Sequence, residues 1–485
     1  MPYSTIEKLI KSLKQGELRA FSLKVKQNKA PEYFNLFKQI KKGKVHDNKE
    51  NAQRRKYLYD SLLDSLNKKT DSIDANILKK LLNTETLFKR QLIKEAWKEV
   101  NKAQRLAQKH ERFGFFIQIL EWKKSIGFYL ETFTRQDYFE LLRLEEKALN
   151  QQLMYLKTKN LYMEILNLKK EMGYLPLNFD KEKFIRFEME IPPEVISKRT
   201  LFYSRITKAI YYWMQKKHEQ EYQLTKQNVL ETDVDIDYAE YMIAHLEHLT
   251  SCVCNASFNE LVYTMHELRD KYKQGYFGNN VNIELKLFYY AANYEVMSYV
   301  FMGKQNLLKE KIIEVEQGIA FWIKNLSKEM LIIIYSALKM GYYFLGDTKK
   351  SKYYVNKMLN ESNKNIRKDA FDDATLFNLI IVFDKHDVEY QESVINKTVK
   401  YFKSSNMKDS FEYKFALSLQ KNLFDNKIFH KVYDDMENQF NKYFYKLSDG
   451  RLYSENYLPI YIWLLSKIKN KPLLNVTKNW YVDKL

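Results

Sequence analysis

In the stretch HLEHLTSCVC, His245, His248 and Cys252 fall at i, i+3 and i+7. On a helix, two imidazoles and a thiolate would share one face and could bind zinc with a fourth ligand from elsewhere. Cys254 points about 200 degrees away from Cys252, at roughly 100 degrees per residue. Leu246, Leu249 and Val253 compete for burial on the neighbouring face, and an enclosed cysteine behaves as a small hydrophobe. No second ligand pair has finger-like spacing, so ordinary helix packing is the expected use, with no metal and no cofactor. His266-Glu267 opens like a metalloprotease helix, but Asp270 stands where the second histidine belongs; after His218-Glu219 that place is Tyr222. The sequence holds no phosphate-binding loop, dinucleotide fingerprint, nucleophile elbow or kinase set. Asp233 and Asp235, in ETDVDIDYAEY, suit a helix start, where acids favour the N-terminal dipole. An enzyme is not expected.

The elements that carry these residues follow from composition. The chain has 485 residues, 45% hydrophobic and 29% charged, enough apolar side chain for two or three domains or one long repeat array. Glycines number 12 and prolines seven, with no proline between Pro193 and Pro459, so long helices joined by short turns are the economical reading. The start, MPYSTIEKLIKSLKQ, is charged every few residues, unlike a signal peptide. The longest apolar runs, such as YLPIYIWLL, fall short of the roughly 20 residues that span a bilayer, so no membrane contact is expected. Cys252 and Cys254 flank one residue and would strain a mutual disulfide, which suits a reducing interior; the cytoplasm is the expected location.

Two stretches, FYYAANYEVMSYVFMGKQNLLKEKIIEVEQGI and LIIIYSALKMGYYFLGDTKKSKYYVNKMLNES, repeat at an offset of 43 residues. Tyr299 precedes Gly303 by four, as Tyr342 precedes Gly346. Leu331, Ile334, Tyr335, Leu338 and Tyr342 form one stripe, and Tyr354, Val355 and Met358 form a second across the turn. Neither helix buries its stripe alone, and a pair still offers a face to the next pair, so such units stack. Further turns are expected near Arg112, Thr158, Lys217, Ala256 and His386, with Ser257 capping a helix while Glu260 reaches back. The unit holding Leu338, Tyr342, Gly346, Asp347, Ser351 and Val355 resembles a tetratricopeptide repeat, in which Gly-Asp makes the turn and a small residue five beyond lets the helices approach. Leu308 takes the small residue's place in the preceding unit. The resemblance implies a superhelix of helix hairpins whose concave groove binds peptides or proteins.

Charge is uneven. Residues 1–110 carry 26 Lys and Arg against 12 Asp and Glu, a balance of +14 within a chain total of +19; residues 219–270 carry 2 against 11, or −9. Lys41, Lys42, Lys44, Arg54, Arg55 and Lys56 cluster as candidate phosphate contacts. Only 14 of the 80 basic residues are Arg, the better phosphate reader. Gly16 invites a helix-turn-helix, but Lys11, Gln15, Glu17 and Ser22 occupy positions that motif buries. The expected architecture is all-α: a basic helical region at 1–85, a helical array at 86–175, an irregular insertion at 176–197 with three prolines and weak strand patterning near Phe184–Ile191, a second array at 198–445, and a C-terminal cap at 446–485. The expected role is a non-enzymatic scaffold for a protein or peptide, the alternative a nucleic-acid-associated factor.

Overall fold

A computed structural model describes residues 2–13, 15–27, 31–43, 51–67, 72–172, 196–232, 238–278, 280–361, 364–384, 387–405 and 407–482. Lys44, Asp233, Asp235, His386 and nearly all of the 176–197 insertion lie outside them. Among the described residues are 22 helices and one two-stranded hairpin, so the chain is all-α as expected, and no helix is long and apolar enough to cross a membrane. Two compact units divide it: residues 1–108 with 118–138, and residues 109–117 with 139–485.

The first unit begins with α1 (Tyr3–Ser12), α2 (Gln15–Gln27), α3 (Pro31–Lys41) and α4 (Ala52–Asn67). Ile6 and Ile10, Phe21 and Val25, Leu36 and Phe37, and Leu58 and Leu62 meet in one core, because each helix repeats its apolar residues at helical spacing. The basic front is thus a small four-helix cluster. After it come α5 (Ile73–Lys89), capped by the Ser72 hydroxyl accepting from the Ala75 amide at 3.1 Å, then α6 (Ile93–Lys109) and α7 (Phe113–Gly127). Residue 85 lies inside α5. Both units contribute residues to α7 and to α8 (Arg135–Met172).

The expected turn at Thr158 does not exist: α8 runs unbroken for 38 residues. Neither Gly nor Pro occurs between Gly127 and Gly173, and the Thr158 hydroxyl bonds back to the Met154 and Tyr155 carbonyls, satisfied within the helix. In the second unit follow α9 (Lys198–Met214), α10 (His218–Glu231), α11 (Tyr238–Cys254), α12 (Phe258–Lys273), α13 (Val281–Phe301), α14 (Gln305–Trp322), α15 (Lys328–Phe344), α16 (Thr348–Leu359), α17 (Lys368–Phe383), α18 (Val388–Ser404), α19 (Phe411–Asn422) and α20 (Ile428–Tyr443). Each packs on the next, and α13, α15, α17 and α19 also pack in succession, as stacked helix pairs require.

The turns explain the repeat. Gly303 and Gly346 adopt left-handed φ of 64° and 84°, and the amides of Lys304 and Asp347 donate to the Tyr299 and Tyr342 carbonyls, each at 2.9 Å. Asp347 caps α16 by accepting from the Lys350 amide, and the fully buried Ser351 of α16 donates to the Lys339 carbonyl of α15 at 2.8 Å. The same closure recurs at Gln91, Lys216, Ala256 and Asn470, all with positive φ, so the turn is structural even where glycine is missing. Charged networks tie the helices laterally: buried Arg199 of α9 clamps Glu240 of α11 and donates to the Tyr155 hydroxyl of α8 at 2.7 Å.

The C-terminal segment does more than cap the end. It comprises β1 (Tyr445–Lys446), antiparallel to β2 (Leu452–Tyr453), then α21 (Leu458–Lys469) and α22 (Leu473–Val482). The Tyr445 hydroxyl donates to the Cys254 carbonyl at 2.7 Å, and Phe258 meets Tyr453 and Tyr481. Trp463, fully buried, packs among Phe383, Phe415 and Phe429, while α22 touches the α13–α14 turn. The physical reason is that α21 is apolar on several sides and needs neighbours on several sides.

Candidate functional site

The histidine and cysteine cluster is the first candidate. α11 carries His245, His248 and Cys252, but their side chains do not converge on one point. His245 lies 2.8 Å by Nδ1 from the Tyr241 carbonyl and packs its ring, tilted, against Tyr241; burial pushes it down to about 4, so the imidazole is neutral. His248 instead joins Cys252 and Glu260, its Nε2 lying 3.6 Å from the sulfur and 3.2 Å from a carboxylate oxygen. Cys254 sits with His218 and Glu221 in a second buried trio, where burial raises the Glu221 carboxyl above its ordinary value.

These distances fit the edges of a tetrahedral zinc site, roughly 3.3–3.6 Å for bonds of about 2.0–2.3 Å. The remaining contacts point elsewhere. Lys226 holds an ammonium 3.2 Å from Glu260, the Tyr222 hydroxyl donates to the same carboxylate, and Thr225 lies 3.1 Å from His248 Nδ1. Burial works to raise the Glu260 carboxyl, but bonds from Tyr222, Lys226 and His248 hold it below its ordinary value. Burial also drives both thiols well up. The set is a polar strut joining α10, α11 and α12, with its cation already supplied by lysine. Glu260 therefore does not reach back to cap α12, and Ser257 makes no side-chain cap; the expected capping pair is replaced by this network.

The described members of the basic cluster differ in exposure. Lys41, Lys42 and Lys56 are exposed, Arg54 is paired with Glu32 at 2.6 Å, and Arg55 is buried. Arg55 follows the period of Leu58 and Leu62, which turns it inward with them.

A third candidate was not visible in the sequence. An opening of about 160 Å³ lies on α13, α15 and α17, lined by Asn293, Met297, Ser336, Met340 and Asp373 and walled on one side by Asn456 of the C-terminal segment. Beneath it, buried Lys339 pairs with Asp373 and lies over the Phe377 ring at 4.4 Å. No family model, curated protein or solved structure matches this chain. The opening draws on three helices and on a segment more than 70 residues downstream, so only a helical period on each contributing helix could have hinted at it. One further feature has a plain sequence signal: along α8, Leu142, Leu149, Leu156 and Met163 recur every seven residues, and all four are exposed.

Proposed function

We propose that this protein is a non-enzymatic scaffold of tetratricopeptide-like helix pairs that holds a short segment of a partner protein on the face formed by α13, α15 and α17. The opening beside Ser336 carries the reading. Its volume of about 160 Å³ is below the roughly 300–1,000 Å³ of cofactor and small-molecule sites, yet suits one side chain of a bound peptide. Asn293, Ser336 and Asn456 offer hydrogen bonds at its rim while Met297 and Met340 supply adaptable apolar surface. Against the nucleic-acid alternative stand the inward Arg55 and the paired Arg54, which leave three exposed lysines from the described part of the cluster.

A photo-crosslinking residue at Asn293, introduced in the native cell with and without Ser336→Trp, tests the proposal. The expected result is a discrete protein adduct that Ser336→Trp abolishes while circular dichroism stays unchanged. An adduct indifferent to the tryptophan, or none at all, rules out this face as the binding surface.

A further inference from the structure

We propose that α8 pairs with α8 of a second copy of this chain, antiparallel, as a short coiled coil. From Phe139 to Met163 the helix follows a heptad in which Phe139 and Leu153 take one core position and Leu142, Leu149, Leu156 and Met163 the other. Phe139 is 51% exposed, Leu149 and Leu153 52% each and Met163 50%, although large apolar side chains gain from burial. The polar members of the same seam, Glu146 and Asn160, are exposed too. Every core position of the heptad over this span is therefore at least about a third exposed.

The opposite side of the helix is occupied. Ala148, Tyr155, Tyr162 and Ile165 are buried, and the last three pack with Phe202, Tyr203 and Ile206 of α9. Single exposed leucines need no explanation, but a continuous seam on a helix already anchored along its other side is what a partner helix covers. The 24 steps from Phe139 to Met163 span about 36 Å at roughly 1.5 Å each, and half the circumference of a helix about 11 Å across then gives roughly 600 Å² per copy. Two copies bury about 1,200 Å², at the lower edge of specific interfaces.

The seam complements itself in reverse. Opposed antiparallel, Leu149 of each copy meets Leu153 of the other, and Phe139 meets Met163 at both ends. Glu146 then lies beside Leu156 of the second copy, close enough to solvent for its carboxylate to turn outward. A parallel pair would instead set Glu146 against its own copy, and like charges in a core position repel.

Sedimentation equilibrium of the full chain over a micromolar concentration range reads the dimer directly. Leu149→Glu with Leu153→Glu is expected to weaken dimerisation by more than about 100-fold while circular dichroism and the thermal midpoint hold, since neither side chain supports the fold. Leu142→Cys mixed with Asn160→Cys is expected to form an intermolecular disulfide that Leu142→Cys alone does not; the native Cys252 and Cys254 are buried and do not compete. A wild-type chain that stays monomeric, as a seam kept for some other protein would give, overturns the proposal. So does a dimer indifferent to the two glutamates, and self-crosslinking of Leu142→Cys overturns the antiparallel register.

Discussion

Replacing Gly303 and Gly346 separately by alanine isolates the contact between the C-terminal segment and the helix pairs. Both glycines hold left-handed φ, 64° and 84°, so each alanine costs about 1–2 kcal/mol for the backbone alone. Around Gly346 an added Cβ meets nothing within 4 Å. At Gly303 it comes within 2.8 Å of Lys478 Cβ and 3.0 Å of the Leu474 carbonyl oxygen, both on α22. Relief requires α22 to move, since neither atom is the free end of a flexible side chain, and overpacking of this kind costs about 1–3 kcal/mol more. Urea unfolding of the two variants at one temperature, read with matched slopes, should therefore rank Gly303→Ala well below Gly346→Ala. Trypsin adds an independent reading, because a displaced α22 loosens the already exposed link after Lys469, and Gly303→Ala should be cut after Lys469 faster than wild type. Equal midpoints and equal cleavage for the two variants would mean that α22 does not rest on this turn, and the account of the C-terminal segment would fall with it.

Removing the fully buried Glu295, which Lys311 approaches to 2.7 Å and Arg269 to 3.1 Å, leaves both cations only the half-exposed Glu314 as counter-charge; Glu295→Leu should cost up to about 3–5 kcal/mol, and Glu295→Leu with Lys311→Met much less, in thermal or urea unfolding. His245 is held down to about 4 by burial, so the unfolded chain takes up its proton first as pH falls. Its contribution is complete above about pH 6.5 and is lost progressively between there and pH 4, by about 3 kcal/mol in all, and His245→Phe should flatten that part of the stability profile. Gln91, exposed with φ of 60°, should accept glycine with a gain of about 0.5–1 kcal/mol, measured as a raised unfolding midpoint. Affinity for mixed DNA and RNA across salt checks the alternative role: three exposed lysines should give weak binding with a shallow slope, and a steep one would revive the phosphate cluster.

The helix pairs were legible because their signals are local. Tyr342, Gly346, Asp347 and Ser351 lie within one turn and its flanks, and each makes a bond that its spacing suggests. The Thr158 turn was misread because KTKN is polar, yet polarity without Gly or Pro does not stop a helix, and Thr158 satisfies itself on the preceding turn. Arg54, Arg55 and Lys56 looked like one cluster as a string, whereas the period of α4 sends the middle residue inward. The pairing of His248 with Glu260 bridges two helices, so helical spacing on α11 alone favoured His245 instead. The heptad of α8 was readable throughout, but an apolar repeat does not say whether its face is covered until burial is known.

The return of the C-terminal segment left no local trace, since the Tyr445 to Cys254 contact joins residues 191 apart. It also changes what the helix pairs can do. A simple stack interacts only between neighbours and offers one open face along its length. Here Trp463 fills the space among Phe383, Phe415 and Phe429, and Tyr457 stacks on Phe411 at 4.1 Å, so much of what α17, α19 and α20 would present to a partner is already core. The opening at Ser336 lies where that cover stops, between Asn456 and the exposed ends of α13 and α15 side chains. A partner that docks there can insert one anchoring side chain but cannot lay a long helix across the face without first displacing Trp463. Displacement would uncover several phenylalanines at once, each worth about 1.5–3 kcal/mol of burial. If the proposed scaffold role holds, recognition by this face would therefore be confined to a short motif with a single anchor, with the C-terminal segment as one wall of the site.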